Sequence, residues 1–516
     1  MTTSTTSIIK GAMILTIAGL LGKVLSAFYR VPLQNITGDL GFYVYQQVYP
    51  ILGAALILAL YGFPAAVSKL ATEEERVSFF PVLLVLSVLC GTASLVGFSQ
   101  AERLASIMGD ERLVPSLESA FFIFLFVPLL SVFRGVFQGN GHMLPTALSQ
   151  ITEQLIRVIG ILSVAWMVSR SGDSYMVGKG AVYASFAAST GAFLILVMFM
   201  NRHAGVFQWK WKASYKYVKT IVVYGLFISL NYTLLLSLQW IDALTLVPGL
   251  VDAGMPLERA KEAKGVFDRG QPLIQLGTVL ASSLALALVP SVTRKRWAEE
   301  PERMRASVSS AIKFSFVIGL AASLGLILLL PLINPLFFLD SSGTGALQVL
   351  MLVIVLSSLQ MSTASVLQGL NYIITTGLWI VGGAVLKTIV NLQLVPALGL
   401  KGAAIGSVVA VAFVLIGNIV TLGQEMKTNR WMWLPWRPII VAAIAMTAFV
   451  WPVSYLHPWV EGDRFLSLVF TLGVVLVGAA IYLVALLKIG AFTKREVEAM
   501  PFSHGWLRLL PKGLKL

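Results

Sequence analysis

The sequence predicts an all-α polytopic membrane protein of about fourteen transmembrane helices, and three observations carry that prediction. Mean hydropathy is +0.83, and 57% of the residues are hydrophobic against 12% charged, a balance far outside the soluble range. Apolar runs of about 20 residues, long enough to cross a hydrocarbon core, recur along the whole chain. Basic residues crowd alternate connections between those runs, the asymmetry that orients membrane helices.

Taken in order, the apolar stretches of the first half lie near 8–33, 41–67, 77–99, 118–138, 146–170 and 177–200. Those of the second half lie near 217–243, 264–290, 308–331, 345–368, 373–396, 400–423, 436–456 and 465–488. With the amino terminus in the cytoplasm, the inner connections hold Arg202, Lys210, Lys212, Lys216 and Lys219, then Arg294, Lys295, Arg296, Arg303 and Arg305, then Lys427, Arg430 and Arg437. The tail adds Lys488, Lys494, Arg495, Arg508, Lys512 and Lys515. The outer connections are poorer, and their cations, among them Arg103, Arg112, Arg259, Lys261 and Lys264, often stand beside acids. The rule therefore places both termini in the cytoplasm of a cell-membrane protein and demands an even number of spans. The opening Met-Thr-Thr-Ser-Thr-Thr-Ser lacks a charged region and a cleavage site, so the first span is expected to be retained. Much of the net charge of +14 is then a topology signal, and no nucleic-acid partner is expected.

An internal repeat organises these spans. Val136-Phe-Gln138-Gly139, followed by Thr146 and Arg157, recurs as Val366-Leu-Gln368-Gly369, followed by Thr376 and Lys387, at an offset of about 230 residues. Phe63-Pro64-Ala-Ala-Val-Ser-Lys69 echoes Val289-Pro290-Ser-Val-Thr-Arg-Lys295 at nearly the same offset. A shift of six spans preserves direction through the membrane, which predicts two parallel six-helix lobes around a central cavity. The expected domains are 1–205, 206–430 and a peripheral pair of helices with the tail over 431–516.

The chemistry of the chain narrows its function. One cysteine, Cys90, permits no intrachain disulfide or thiolate cluster, and the four histidines are scattered. No catalytic residues, metal site, cofactor or phosphate-binding loop is expected, so the chain is read as a transporter rather than an enzyme. Its informative residues are charges within apolar stretches, each costing about 2.5–3.5 kcal/mol at the centre of a membrane helix on insertion scales. Lys23, Arg30, Arg157, Arg269 and Lys387 are such cations, whereas only Glu153 and Asp268 stand out as embedded acids. The positive excess points to an anionic ligand.

Longer motifs resemble a known family. Gly22-Lys23-Val-Leu-Ser-Ala-Phe-Tyr-Arg30-Val-Pro32, Ile36-Thr-Gly38-Asp39-Leu-Gly41-Phe-Tyr43 and Arg134-Gly-Val-Phe-Gln138-Gly139 resemble the multidrug, oligosaccharidyl-lipid and polysaccharide exporter superfamily. Ser149-Gln-Ile-Thr-Glu153-Gln-Leu-Ile-Arg157 and Phe267-Asp268-Arg269-Gly-Gln-Pro272 are similar to its lipid II flippase-like MurJ/SpoVB/YtgP branch. The resemblance implies fourteen spans and a flippase for an undecaprenyl-diphosphate-linked cell-wall precursor. It also implies a central cavity whose cations receive the diphosphate, carried over to Lys23, Arg30 and Arg269, with Lys69 as a further candidate.

The remaining charges receive separate expectations. Lys387 is expected to line the cavity or to pair with Glu153, and Asp268 to orient Arg269. Glu153 and Arg157 share a helix face and are expected to pair. Arg134, before the Gln138-Gly139 turn, is expected to anchor the headgroup region. Asn231 and Asp242 are candidates for a coupling cation, Na⁺ or H⁺. A lipid-linked oligosaccharide, membrane lipids and the cell-wall synthesis machinery are the expected partners. Three alternatives stand beside this reading: a flippase for another lipid-linked glycan of O-antigen or capsule type, a multidrug or cation antiporter, and a scaffold that transports nothing.

Overall fold

Chain segments that meet no water must satisfy their own backbone groups, which favours helices throughout. The computed structural model describes residues 2–73, 79–202, 219–288, 294–426, 434–456, 463–498 and 503–511, and these contain helices and no strand. The first half forms α1 (Thr2–Phe28), α2 (Arg30–Ile57), α3 (Phe63–Glu73), α4 (Phe79–Ser99), α5 (Ala101–Ile107), α6 (Val114–Phe121), α7 (Val127–Gly139), α8 (Met143–Ser171) and α9 (Met176–Arg202). There follow α10 (Gly225–Asn231), α11 (Leu234–Asp252), α12 (Leu257–Asp268), α13 (Gly270–Leu288), α14 (Arg294–Glu299), α15 (Pro301–Phe338), α16 (Thr344–Leu350) and α17 (Leu352–Gly369). The chain continues as α18 (Ile373–Leu398), α19 (Leu400–Met426), α20 (Trp436–Ser454), α21 (Arg464–Ile489), α22 (Lys494–Glu498) and α23 (Ser503–Leu507).

Among the described residues, twelve helical runs are long and apolar enough to cross a membrane, against the expected fourteen. The run Met13–Thr72 is 60 residues long and takes in most of the first expected span and all of the second. The expected eighth span, 264–290, is divided between α12 and α13 at Arg269. Side chains such as Met198 and Leu476 are 64% and 69% exposed, an apolar exterior that suits lipid rather than water.

The helices gather into two compact units, one of residues 1–276 and 372–414, the other of 277–371 and 415–516. In the first, α8 packs on α9 and α1, α3 on α7, α2 on α12, and α11 on α18. In the second, α15 packs on α17, α20 and α21, and α20 on α21.

The principal sequence repeat folds the same way twice. After α7 the backbone N–H groups of Asn140 and Gly141 donate to the carbonyls of Val136 (3.1 Å) and Gln138 (3.0 Å). After α17, those of Leu370 and Asn371 donate to Val366 (3.0 Å) and Gln368 (2.9 Å). Each turn closes on a left-handed residue, Gly141 at φ +79° and Asn371 at φ +72°, residue types that tolerate that region. The second echo falls partly on 289–293, and the expected inner cations Lys210, Lys212, Lys216, Lys427, Arg430, Lys512 and Lys515 fall with it outside the described residues.

Candidate functional site: buried charges of the helical core

The site begins with a break in α2. Gly38 adopts φ +68°, ψ −177°, which interrupts the helix and turns the next peptide away from its axis. α12 packs against that break through Gly265, where a Cβ would lie 2.2 Å from the Asp39 carbonyl oxygen. This approach delivers Arg269, the residue joining α12 to α13, to Asp39. Arg269 Nε donates to Asp39 Oδ1 at 3.0 Å and Nη2 to Oδ2 at 2.6 Å, a two-pronged ion pair with the Arg269 side chain fully buried. Gln34 Nε2 donates to the same Oδ1 at 3.0 Å.

Asp268 does not orient Arg269, because successive residues of α12 leave on different faces. It instead pairs with Lys264, one turn back on its own side. Lys264 and Lys261, expected in an outer loop, are 1% and 2% exposed. Lys261 Nζ reaches Asp110 Oδ1 at 3.2 Å, Glu258 Oε1 at 3.0 Å and the Tyr175 hydroxyl at 3.0 Å. The hydroxyls of Tyr175 and Tyr43 donate to Asp110 Oδ2 at 2.6 and 3.2 Å. Burial, and then the Asp110 carboxylate, push the Tyr175 hydroxyl up to about 12, so it stays a donor at neutral pH.

Glu153 and Arg157 form the expected pair, with Arg157 Nη2 2.6 Å from Glu153 Oε1. Arg134 joins them: its Nη2 donates to Glu153 Oε2 at 2.7 Å, its Nε to Ser149 Oγ at 3.0 Å and its Nη1 to the Ala59 carbonyl at 3.1 Å. Arg134 is thus a fully buried tie between α7, α8 and the turn Leu58–Gly62 that follows α2, not an anchor in the headgroup region. Gln138 lies half-buried near the end of α7.

Lys387 neither pairs with Glu153 nor has a proton to spare for a cavity. Its Nζ donates to Asp242 Oδ2 at 2.6 Å, Ser407 Oγ at 2.8 Å and the Leu238 carbonyl at 2.9 Å, which uses all three ammonium protons. Asn391 Nδ2 donates to Asp242 Oδ1 at 3.1 Å. Asn231, the other candidate for a coupling cation, instead donates to the carbonyls of Phe227 and Ile373.

Arg30, at the start of α2, is different. It is 2% exposed, and its guanidinium lies 4.3 Å from the centre of the Tyr49 ring, yet Nε and Nη2 are buried without a hydrogen-bond partner. A buried charge leaves donors unused at a cost of about 1–3 kcal/mol or more, so two unused donors on one buried guanidinium mark a place for an acceptor. Tyr29 and Tyr45, whose hydroxyls bond each other, pack nearby in the same unit, and a small cleft beside them is lined by Tyr49, Gln154 and Arg157. Lys69 Nζ lies 4.2 Å from the centre of the Tyr224 ring, and Lys23 is half-buried in α1.

The positive excess expected from the sequence is therefore largely cancelled by acids that the sequence pattern does not assign to those cations. Asp39, Asp110 and Asp242 each hold an embedded cation. Lys261, Lys264 and Asp268 recur at helical spacing, a signal sufficient to mark one polar face. Asp110 lies in a turn far from its partner in sequence and carries no such signal.

Long apolar helices, breaks at glycine and charges buried within the helical core define a polytopic membrane protein of the exporter kind. The chain belongs to the polysaccharide biosynthesis protein family, whose model matches residues 8–296, and to the MurJ-like branch of the exporter superfamily. It is 35% identical to the uncharacterized membrane protein YabM of Bacillus subtilis, over 96% of this chain and 94% of that one. It is 23% identical to the lipid II flippase MurJ of Bacillus subtilis, over 96% of this chain and 97% of that one. Its fold is similar to a solved structure of lipid II flippase MurJ in an inward closed conformation, with a TM-score of 0.65 at 11% identity, covering 91% of this chain and 98% of that one.

Proposed function

We propose that this protein is a flippase that carries a diphosphate-linked lipid glycan precursor, of the lipid II kind, from the cytoplasmic to the outer leaflet of the cell membrane by alternating access. The observation that carries the reading is Arg30, a buried guanidinium with two donors that no protein atom accepts. A diphosphate offers paired oxygens that match a planar guanidinium, so it would supply the missing acceptors. Arg269 is the second proposed phosphate ligand, and it would reach substrate by exchanging the Asp39 carboxylate for a phosphate of similar geometry. Lys23 and Lys69 complete the proposed cation set. Lys387 is left out of it, because its protons are already used.

The family supports a lipid-linked glycan as substrate. The likeness to the lipid II flippase MurJ favours lipid II over an O-antigen or capsule unit, which would bring the same diphosphate to the same cations. An antiporter for organic cations would need unpaired acids, and the acids of this core are engaged by lysine and arginine.

The test is to deplete a host of its lipid II flippase, express this chain and measure lipid II accessible at the outer leaflet. Restored accessibility that Arg30→Ala removes, at unchanged protein level, is the expected result. No restoration by a well-inserted chain excludes lipid II and transfers the same assay to other lipid-linked glycans. Undiminished transport by Arg30→Ala overturns the phosphate role of Arg30.

A further inference from the structure

Gly490 ends α21 in the left-handed region, at φ +80°, and the Ala491 N–H donates to the Leu486 carbonyl at 2.9 Å. The chain therefore leaves the helix sideways instead of continuing along its axis. Phe492 then stacks on Phe314 of α15, with ring centres 5.0 Å apart. Glu496 of α22 pairs with Lys313 at 2.5 Å and accepts from Ser310 at 2.6 Å. Phe492 and Val497 are 2% and 0% exposed, so α22 is clamped on α15. The apolar run of α15 begins near residue 308, which puts residues 310–314, and the segment clamped on them, at the edge of the hydrocarbon. All of these residues belong to the second unit.

The clamp spends the apolar side of this segment and one of its acids, and it leaves the cations outward. Lys488, Lys494, Arg495 and Arg508 are exposed, while Glu496, the acid nearest them, is taken by Lys313. Arg437, exposed in the first turn of α20, joins from the other side of α15, because its neighbour Trp436 packs edge-on against Phe316 at 5.6 Å. Beyond α22, Trp506, Leu507, Leu509 and Leu510 are half-buried around the exposed Arg508, and the Leu509 N–H donates to the Trp506 carbonyl at 3.0 Å. Outward cations interleaved with tryptophan and leucine, at the depth where a span ends, are the composition of a segment that rests on a bilayer surface. At that depth the anions within reach are lipid phosphates, whereas an acidic protein or a nucleic acid would have to approach from bulk water.

We propose that Lys488, Lys494, Arg495 and Arg508, with Arg437 beside them, form a contact surface for anionic phospholipid headgroups of the leaflet at which α21 ends. Trp506 and the leucines around it sit at the headgroup boundary. The partner is the charged lipid surface and not the transported substrate, so the inference stands apart from the flippase reading. Arginine meets phosphate oxygens as a fork and lysine as a point charge, and the attraction grows with the density of negative charge in the leaflet. Because Glu496 and Phe492 tie the segment to α15, that attraction holds the ends of α15 and α21 at one depth.

A fluorophore sensitive to its surroundings, attached to Gly505→Cys in a Cys90→Ala background, tests this in the full-length protein held in lipid nanodiscs. Gly505 is exposed, and nothing lies within 4 Å of an added Cβ. Emission should shift to the blue when phosphatidylglycerol replaces part of the phosphatidylcholine. The shift should vanish in 1 M sodium chloride, where the Debye length is about 3 Å. It should fall by about half or more when Lys488→Gln, Lys494→Gln, Arg495→Gln and Arg508→Gln are combined. Equal emission in the two kinds of disc, or a shift that survives the four substitutions, overturns the proposal. A response to soluble polyglutamate in phosphatidylcholine discs, with none to phosphatidylglycerol, also overturns it and assigns the surface to an acidic protein. The unsubstituted, unlabelled chain gives a second measurement: trypsin cleavage after Lys494 and Arg495 should be slower in phosphatidylglycerol discs, and equal rates count against the proposal even if the labelled variant does not fold.

Discussion

Arg30 and Lys387 are equally hidden cations in one unit of the protein, and they differ in how completely their donors are used. Lys387 gives every proton to an oxygen, and the next residues around it are themselves bonded. Arg30 stacks on Tyr49 and keeps two nitrogens without an acceptor. Burial of a charge in a membrane protein therefore does not by itself mark a ligand site. A saturated cation holds helices together, whereas an unsaturated one retains binding capacity at some cost in stability.

Substitutions should separate the two residues along those lines. Arg30→Ala should reduce flipping to background while Tm changes less than for Lys387→Ala, because the guanidinium stacks on Tyr49, a contact of about 0.5–2 kcal/mol, and leaves two of its donors unused. Lys387→Ala should do the reverse, lowering stability by about 3–5 kcal/mol through the Asp242 carboxylate left buried without its partner. Replacing Lys387 and Asp242 together with leucine should restore much of that loss, as measured by thermal unfolding. A large stability loss for Arg30→Ala with transport intact would erase the contrast.

The Glu153 group sharpens it. Glu153→Gln strands two guanidiniums and should cost about 3 kcal/mol or more, whereas Arg157→Gln leaves Arg134 paired and should cost less. The double substitution Glu153→Gln with Arg157→Gln should fall below the sum of the two, and strict additivity in Tm or abundance would argue against a shared network. Gly265→Ala is the next smaller step. The added methyl group meets the Asp39 carbonyl and should cost about 1–3 kcal/mol while loosening Arg269 from Asp39. Unchanged stability would mean that α12 shifts away without loss.

The smallest expected effect lies outside the membrane core. Glu496 accepts from Lys313 and from Ser310 (2.6 Å), and also from the Thr493 backbone (2.8 Å). Burial alone would raise its pKa, but the bonds from Lys313 and Ser310 outweigh it and hold the carboxyl below the usual glutamate range. Its contribution is therefore complete above the unfolded value of about 4.3 and is lost as pH falls through the lower folded value. Glu496→Gln should cost less than about 1 kcal/mol at neutral pH and leave a correspondingly shallower loss of Tm on acidification.

Much of this molecule is legible in its chain. Hydropathy alone places most of the long helices, because a bilayer admits few other solutions, but it misses the polar α12, which reads as an outer loop. The Gln-Gly repeat, about 230 residues apart, announces two turns that close on the same hydrogen bonds. Four-residue spacing announces the Glu153–Arg157 pair, since neighbours on one helix face are fixed by the helix period. The sequence by itself thus determined where most long apolar helices lie, where the repeated turns fall and which charges lie within apolar stretches. Only the tertiary structure decided which acid each cation meets: Arg269 finds Asp39, Lys261 finds Asp110 and Lys387 finds Asp242. Those partners stand on different helices, and their meeting depends on crossings such as Gly265 on Asp39, which no local periodicity encodes.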